Sequence, residues 1–278
     1  MSNDLSSEQQ QVQMKAKIQQ TFNSVADQYG TGGARFFSIS GQTMADLYPL
    51  NGDEHVLDVA SGTGALAIPL ARHLPQGKVT AVDFSSGMLA RSRCRAEDEN
   101  LGNIEYIEQD MTAMVFDDGL FDHAYCAFGL FFVEDMVALL EHIGGNVKTG
   151  GTVTVSGFCG QSFMPAAALI FDRLKSYGID VPDSFSWQRM SEPDQLDSLF
   201  SSAGLSGVDI TRKSLGYYTD PVGWWEVVWN AGFRGLVEQL GDKLDEFRRE
   251  HLEEVAGLMD DQGLWLEVDV NFTRGVRV

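Results

Sequence analysis

Basic residues are scarce in this sequence: 20 Lys and Arg stand against 40 Asp and Glu, a formal charge of −20. A field of that sign repels phosphate polyanions and anionic lipid surfaces, so no nucleic-acid partner is expected. Cysteine is scarce too. Cys94, Cys126 and Cys159 are widely spaced, neither a disulfide framework nor a zinc pattern, and no metal is expected. No apolar run approaches the roughly 20 residues that cross a bilayer. The opening MSNDLSSEQQQVQMK lacks the basic-then-apolar order of a secretory signal. Together these absences point to the cytoplasm. There is no internal repeat and no Pro-rich linker. With 44% hydrophobic and 22% charged residues, the 278-residue chain has the balance of an ordinary globular domain. Monomer and homodimer are both compatible with it.

What is present is a change of rhythm. Residues 1–11 are polar and expected to fray. Met14, Ile18, Phe22, Val25 and Tyr29 then step by four, four, three and four, the spacing of an amphipathic helix. A second helix is expected over Phe36–Leu47. From residue 51 short apolar runs alternate with helical patterns. Strands are expected at His55–Val59, Val79–Val82, Ile104–Ile107, Phe121–Phe128 and Thr152–Val155. Helices are expected at Ala65–His73, Ser86–Asp98 and Glu134–Val147. Such alternation implies an α/β, doubly wound, mainly parallel sheet with ligands at the carboxyl ends of its strands. Further on, helices are expected at Pro165–Tyr177, near 193–203, over Pro221–Leu240 and near 244–258. Strands are expected at Gly207–Thr211 and Leu264–Phe272. Residues 1–50 read as a helical cap, 51–160 as the cofactor-binding core and 161–278 as acceptor-side additions to the same domain.

The first strand runs into Asp58-Val59-Ala60-Ser61-Gly62-Thr63-Gly64. Glycines in such a turn let a ligand approach the backbone. Nineteen residues after Gly64, at the end of the second strand, Asp83 can accept hydrogen bonds from ribose hydroxyls. Asp110 follows the third strand. Two cofactors fit. Gly62-Thr63-Gly64-Ala65-Leu66-Ala67 matches the dinucleotide pattern, so a nicotinamide-dependent oxidoreductase is one alternative. Asp58 opposes it, because an acid before the turn serves a pyrophosphate poorly and a cationic amino-acid tail well.

With Ala81-Val82-Asp83-Phe84-Ser85-Ser86-Gly87-Met88-Leu89, Gln109-Asp110-Met111 and Phe121-Asp122-His123-Ala124 added, the chain resembles the class I S-adenosylmethionine-dependent methyltransferases. Phe22-Asn23-Ser24-Val25-Ala26-Asp27-Gln28-Tyr29 resembles the entry helix of their ubiquinone/menaquinone methyltransferase-like subgroup. The resemblance implies a seven-stranded Rossmann-like sheet ending in an antiparallel pair, and S-adenosylmethionine as cofactor. It implies that Asp58, Ala60, Gly62 and Gly64 meet the methionine part and Asp83 the ribose. Phe84 and Met88 would pack on the adenine, Asp110 would receive its amino group, and Met111 would cover the ring. Ala127 and Phe128 would border the transferred methyl. A cofactor-binding module without an acceptor site is the non-enzymatic alternative.

The acceptor is expected to be a small, apolar or aromatic metabolite, its attacking atom O, C, N or S. Trp225, Trp229 and Phe233 fall on one helical face and are candidates for its wall, with Tyr29 and Phe131. The catalytic residue is open. His123 is a candidate base, though it sits early in its strand, away from the tip.

Overall fold

A computed structural model describes residues 7–278. Of the residues expected to fray, 7–11 belong to the first helix, which starts at Ser7; residues 1–6 lie outside the described residues. The elements are α1 (Ser7–Val25), α2 (Phe36–Leu47), β1 (His55–Val59), α3 (Ala67–His73), β2 (Lys78–Asp83), α4 (Ser86–Asp98), β3 (Ile104–Glu108), β4 (Phe121–Ala127), α5 (Met136–Gly145) and β5 (Val147–Cys159). The second half adds α6 (Ala166–Ser176), α7 (Pro193–Ser202), β6 (Leu205–Ser214), β7 (Tyr217–Thr219), α8 (Pro221–Asn230), α9 (Arg234–Val237), α10 (Leu244–Ala256), β8 (Leu264–Leu266) and β9 (Asp269–Arg277).

Seven strands form one sheet in the order β3-β2-β1-β4-β5-β9-β6. Strands β1 to β5 pair in parallel, and β9 runs antiparallel to both β5 and β6. The chain winds outward from β1 through β2 to β3, then returns to β4 on the other side. That reversal leaves a crevice at the carboxyl ends of β1 and β4, where open sheets of this kind bind ligands. Helices cover both faces, so the central strands are mostly apolar: Val56, Leu57, Val59, Val79, Ala81 and Val82 are all fully buried, with Asp58, Thr80 and Asp83 as buried polar exceptions.

Two expected elements divide. The helix expected over Pro221–Leu240 stops at Asn230, because Ala231 leaves the helical region (φ −122, ψ −147) before Gly232. The strand expected over Leu264–Phe272 splits into β8, which pairs with β7 in a separate ribbon, and β9, which joins the main sheet. Hydrophobic periodicity alone cannot locate either break, because the apolar residues continue through both. The N-terminal and C-terminal additions meet each other. Glu226 of α8 accepts a hydrogen bond from the Gly33 N–H at 2.6 Å, and the Tyr217 hydroxyl donates to the Gly33 carbonyl.

Candidate functional site

The turn after β1 is built by its backbone. Ala60 and Phe128, the residues that follow β1 and β4, both take left-handed φ values of 55°. Such values are uncommon for residues with a side chain and cluster at functional sites. Both residues line one crevice at the tips of these neighbouring strands. Gly129 permits the close packing beneath: a Cβ there would lie 2.8 Å from both the Ala60 Cβ and the Cys126 Sγ.

Asp58 and Asp83 lie in the floor of this crevice. Asp58 is 1% exposed, and neither of its carboxylate oxygens has a hydrogen-bond partner. Burial, then the nearby Asp83 carboxylate, raises its pKa well above the usual carboxylate range, with the Ala67 amide offsetting only part of the penalty. A buried acid without a partner is costly, and a ligand cation would relieve it. Asp83 is better served. It accepts from the Gly62 N–H at 2.8 Å and the Ser85 N–H at 2.9 Å, while burial still raises its pKa. Each oxygen keeps a lone pair for a further donor. Asp83→Ala should lower cofactor affinity roughly 5- to 150-fold, the range for losing about 1–3 kcal/mol of hydrogen bonding. It should also lower the melting temperature, because two buried amides lose their acceptor; calorimetry and melting curves on one preparation check both.

The two glycines differ. A Cβ on Gly62 (φ +54°) would meet nothing within 4 Å, so open space lies above it. A Cβ on Gly64 (φ +79°) would lie 2.3 Å from the Ser92 Oγ of α4. Gly64 therefore packs a helix onto the turn, and it is absent from the crevice wall. Of the two glycines expected to meet the ligand, Gly62 lines the crevice and Gly64 does not.

Phe84, Met88, Met111, Ala127 and Phe128 all line the crevice. Asp110 does so too, held by Lys15 of α1 at 2.8 Å and by the Thr112 N–H and hydroxyl, each at 2.8 Å. These contacts draw its pKa below the usual value against the opposing effect of burial. Helix α1 closes this side. Its Val25 packs with Ala26 on Met88, and Asn23 accepts from the Gly87 N–H at 3.0 Å. Lys15, Ile18 and Phe22 reach the crevice. Of the apolar stripe expected over Met14–Tyr29 only Tyr29 was a site candidate; the motif around Phe22 is the signal that points to the rest.

A second cavity of about 800 Å³ adjoins the first. Ile18, Phe22, Tyr29, Phe37, Phe128 and Phe132 line both. Tyr29 stacks on Phe37 at 4.7 Å, Phe37 meets Phe128 edge-on at 5.4 Å, and Phe128 lies against Phe158 at 4.6 Å. Burial and then Asp83 raise the Tyr29 pKa, so its hydroxyl stays protonated. Phe131, Trp229 and Phe233 line this larger cavity as well. Trp225 does not. It packs 6.4 Å from Phe247 with the Arg248 guanidinium over its ring, and with α8 ending at Asn230 it no longer shares a helical face with Phe233. His123 is also outside both spaces. It shares a 2.8 Å hydrogen bond with the Thr152 hydroxyl in mid-sheet, and burial lowers its pKa. It is a structural histidine and not a base at the crevice. Among the described residues, no cluster of side chains suited to a metal ion occurs.

The open space over Gly62, the partnerless acid beneath it and the second acid at the tip of β2 fit S-adenosylmethionine: a cation for Asp58 and hydroxyls for Asp83. A pyrophosphate would meet both acids.

A family model described as "Methyltransferase domain" matches residues 56–151. The ubiquinone/menaquinone biosynthesis C-methyltransferase of Idiomarina loihiensis is 31% identical over 179 residues, covering 58% of this chain and 70% of that protein. The demethylmenaquinone methyltransferase of Bacillus subtilis is 30% identical over 186 residues, 60% of this chain and 78% of that protein. Among solved structures, a putative methyltransferase from Bacillus halodurans superposes with a TM-score of 0.56 at 18% identity, covering 86% of this chain and 99% of that one. The YcgJ protein of Bacillus subtilis does so with a TM-score of 0.58 at 15% identity, covering 86% and 98%. These two share the fold.

Proposed function

Because the chain belongs to the class I S-adenosylmethionine-dependent methyltransferases, in the ubiquinone/menaquinone methyltransferase-like subgroup, we propose that its acceptor is a flat, apolar or aromatic small molecule held in the 800 Å³ cavity. The protein is an enzyme that transfers a methyl group from S-adenosylmethionine to a small molecule. The observation that carries the finer reading is the shared wall. Rings crowd the junction of the two spaces, and aromatic faces favour a flat partner in offset or edge-on contact. A binding module without an acceptor site would have no such cavity beside the crevice.

When bound, S-adenosylmethionine supplies a methyl group already activated by its sulfonium. Asp58 holds the cationic end of that ligand and Asp83 its ribose. Phe37, Phe128 and Phe132 exclude water from the junction and fix the plane of the acceptor. Alignment of this kind can supply on the order of 7–11 kcal/mol of the barrier. Tyr29 is the one titratable side chain among the six residues that line both spaces, and it keeps its proton. An acceptor that arrives already nucleophilic, such as the anion of an electron-rich ring, suits this wall; the methyl moves from sulfur to a ring carbon, and the proton that carbon then sheds passes to solvent. The net charge of −20 favours a small-molecule acceptor over a nucleic acid, and the three unpaired cysteines suit the cytoplasm. No helix among the described residues is long and apolar enough to cross a membrane.

The name of the Bacillus subtilis relative supplies the first acceptor to try, demethylmenaquinone, offered oxidised and chemically reduced with methyl-labelled cofactor. Label in an extractable quinone supports the reading, and transfer only to polar, non-aromatic compounds overturns it. In the same assay Trp229→Ala should raise the acceptor KM or lower kcat by up to about ten-fold, the effect of losing an aromatic contact of about 0.5–1.5 kcal/mol. Cofactor affinity should not change, since Trp229 lines only the larger cavity. Loss of thermal stability with an unchanged KM would remove Trp229 from the site.

A further inference from the structure

We infer that Asn230 recognises an uncharged oxygen function, a hydroxyl or carbonyl, on the acceptor, at the end away from the methylated atom. The inference rests on the acceptor-cavity reading above. Asn230 is the last residue of α8, is 7% exposed and lines the larger cavity. Its side-chain amide has no partner within the described chain, yet its polar atoms are not sealed into the core. Buried amides are nearly always hydrogen-bonded, so this one is provided for by what enters the cavity.

The rest of the wall narrows the chemistry. Ser162, the other buried polar side chain there, is committed: its hydroxyl donates to the Cys159 carbonyl at 2.8 Å and accepts from the Asp269 N–H at 3.0 Å. Asp172, Lys175 and Asp183 stand at the exposed or half-exposed rim, and Arg234 is paired with Glu238 at 2.7 Å. Asn230 is thus the nine-tenths-buried polar side chain of this wall left without a partner among the described residues, and its amide both donates and accepts. Asn230 is absent from the cofactor crevice, whereas Phe128 belongs to both spaces. The function it reads is thus remote from the methyl. Asn230 does not act as a left-handed helix stop, the common structural use of asparagine at a helix end, because its φ is not positive.

Two probes of equal shape test this, 2-naphthol and 2-methylnaphthalene, titrated calorimetrically into protein saturated with S-adenosylhomocysteine. Asn230→Leu should weaken 2-naphthol roughly 5- to 100-fold and leave 2-methylnaphthalene unchanged or tighter. Asn230→Ala, which adds no bulk, should give the same contrast if the leucine variant folds poorly. An equal change for both probes, or no loss for 2-naphthol, would overturn the assignment of Asn230. If neither probe binds the wild-type protein, the acceptor-cavity reading itself fails, and the assignment of Asn230 with it.

Discussion

Asp58→Asn should cost the protein its cofactor while making it no less stable. In the free protein Asp58 is a buried carboxyl without a hydrogen-bond partner, its pKa raised first by burial and then by Asp83. An amide of the same shape removes that penalty, so the melting temperature without cofactor should hold or rise near pH 8. Cofactor affinity should fall about 30-fold or more, since removing one member of a buried charge pair costs about 2–5 kcal/mol. The pH dependence has a definite sign. The folded chain holds the Asp58 proton at pH values where the unfolded chain has released it. This group's contribution to stability is therefore full below the ordinary carboxylate range and is lost as pH rises through the raised folded value. Cofactor binding runs the other way. A seated cation favours the carboxylate, so affinity should climb with pH by up to about ten-fold per unit and level off above the folded pKa. Calorimetry in buffers of different ionisation enthalpy should detect proton release on binding by the wild type below that value, and none from this site in Asp58→Asn. An affinity that ignores pH in the wild type would contradict the pairing.

Gly62→Val and Gly64→Val should fail in opposite ways. The Cβ of residue 64 would meet Ser92 of α4 at 2.3 Å. A clash between a turn and a packed helix, added to left-handed strain, should cost about 2–5 kcal/mol of stability. Whatever Gly64→Val protein survives should keep a crevice open to cofactor. At residue 62 the added side chain meets no protein atom within 4 Å, so stability should fall only by the strain, about 1–2 kcal/mol. Cofactor binding should be abolished there, because the side chain projects where the ligand lies. Melting curves and cofactor titrations on both variants separate the two. Equal loss of stability would mean that Gly62 also packs the fold.

The pair illustrates what a sequence can and cannot disclose. Both glycines stand in one motif with the same spacing to Asp83, and nothing local tells which faces a ligand and which faces a helix 28 residues further on. Tertiary packing decides it. The parallel core was legible because buried strands and amphipathic helices carry their own periods: α2 and β1 lie at their expected bounds. Asp58, Asp83 and Asp110 were legible as acids at strand tips. The left-handed Ala60 and Phe128 were not, because a backbone torsion forced on a residue with a side chain leaves no mark in its identity. Trp225 was misplaced because its ring packs on Phe247 and Arg248 of α10, a contact between segments that no local pattern encodes. Lys15, Phe37 and Asn230 enter the site only through the meeting of distant segments, which no local pattern encodes.

The most direct test of the whole account is the partition of labelled methyl groups. Purified protein is incubated with methyl-tritiated S-adenosylmethionine and a metabolite extract, then divided between an organic and an aqueous phase. The account predicts label in an organic-soluble aromatic product, reduced by up to about ten-fold with Trp229→Ala although that variant binds cofactor as the wild type does. Label confined to polar aqueous products, with the wild type and Trp229→Ala equally active, would contradict it.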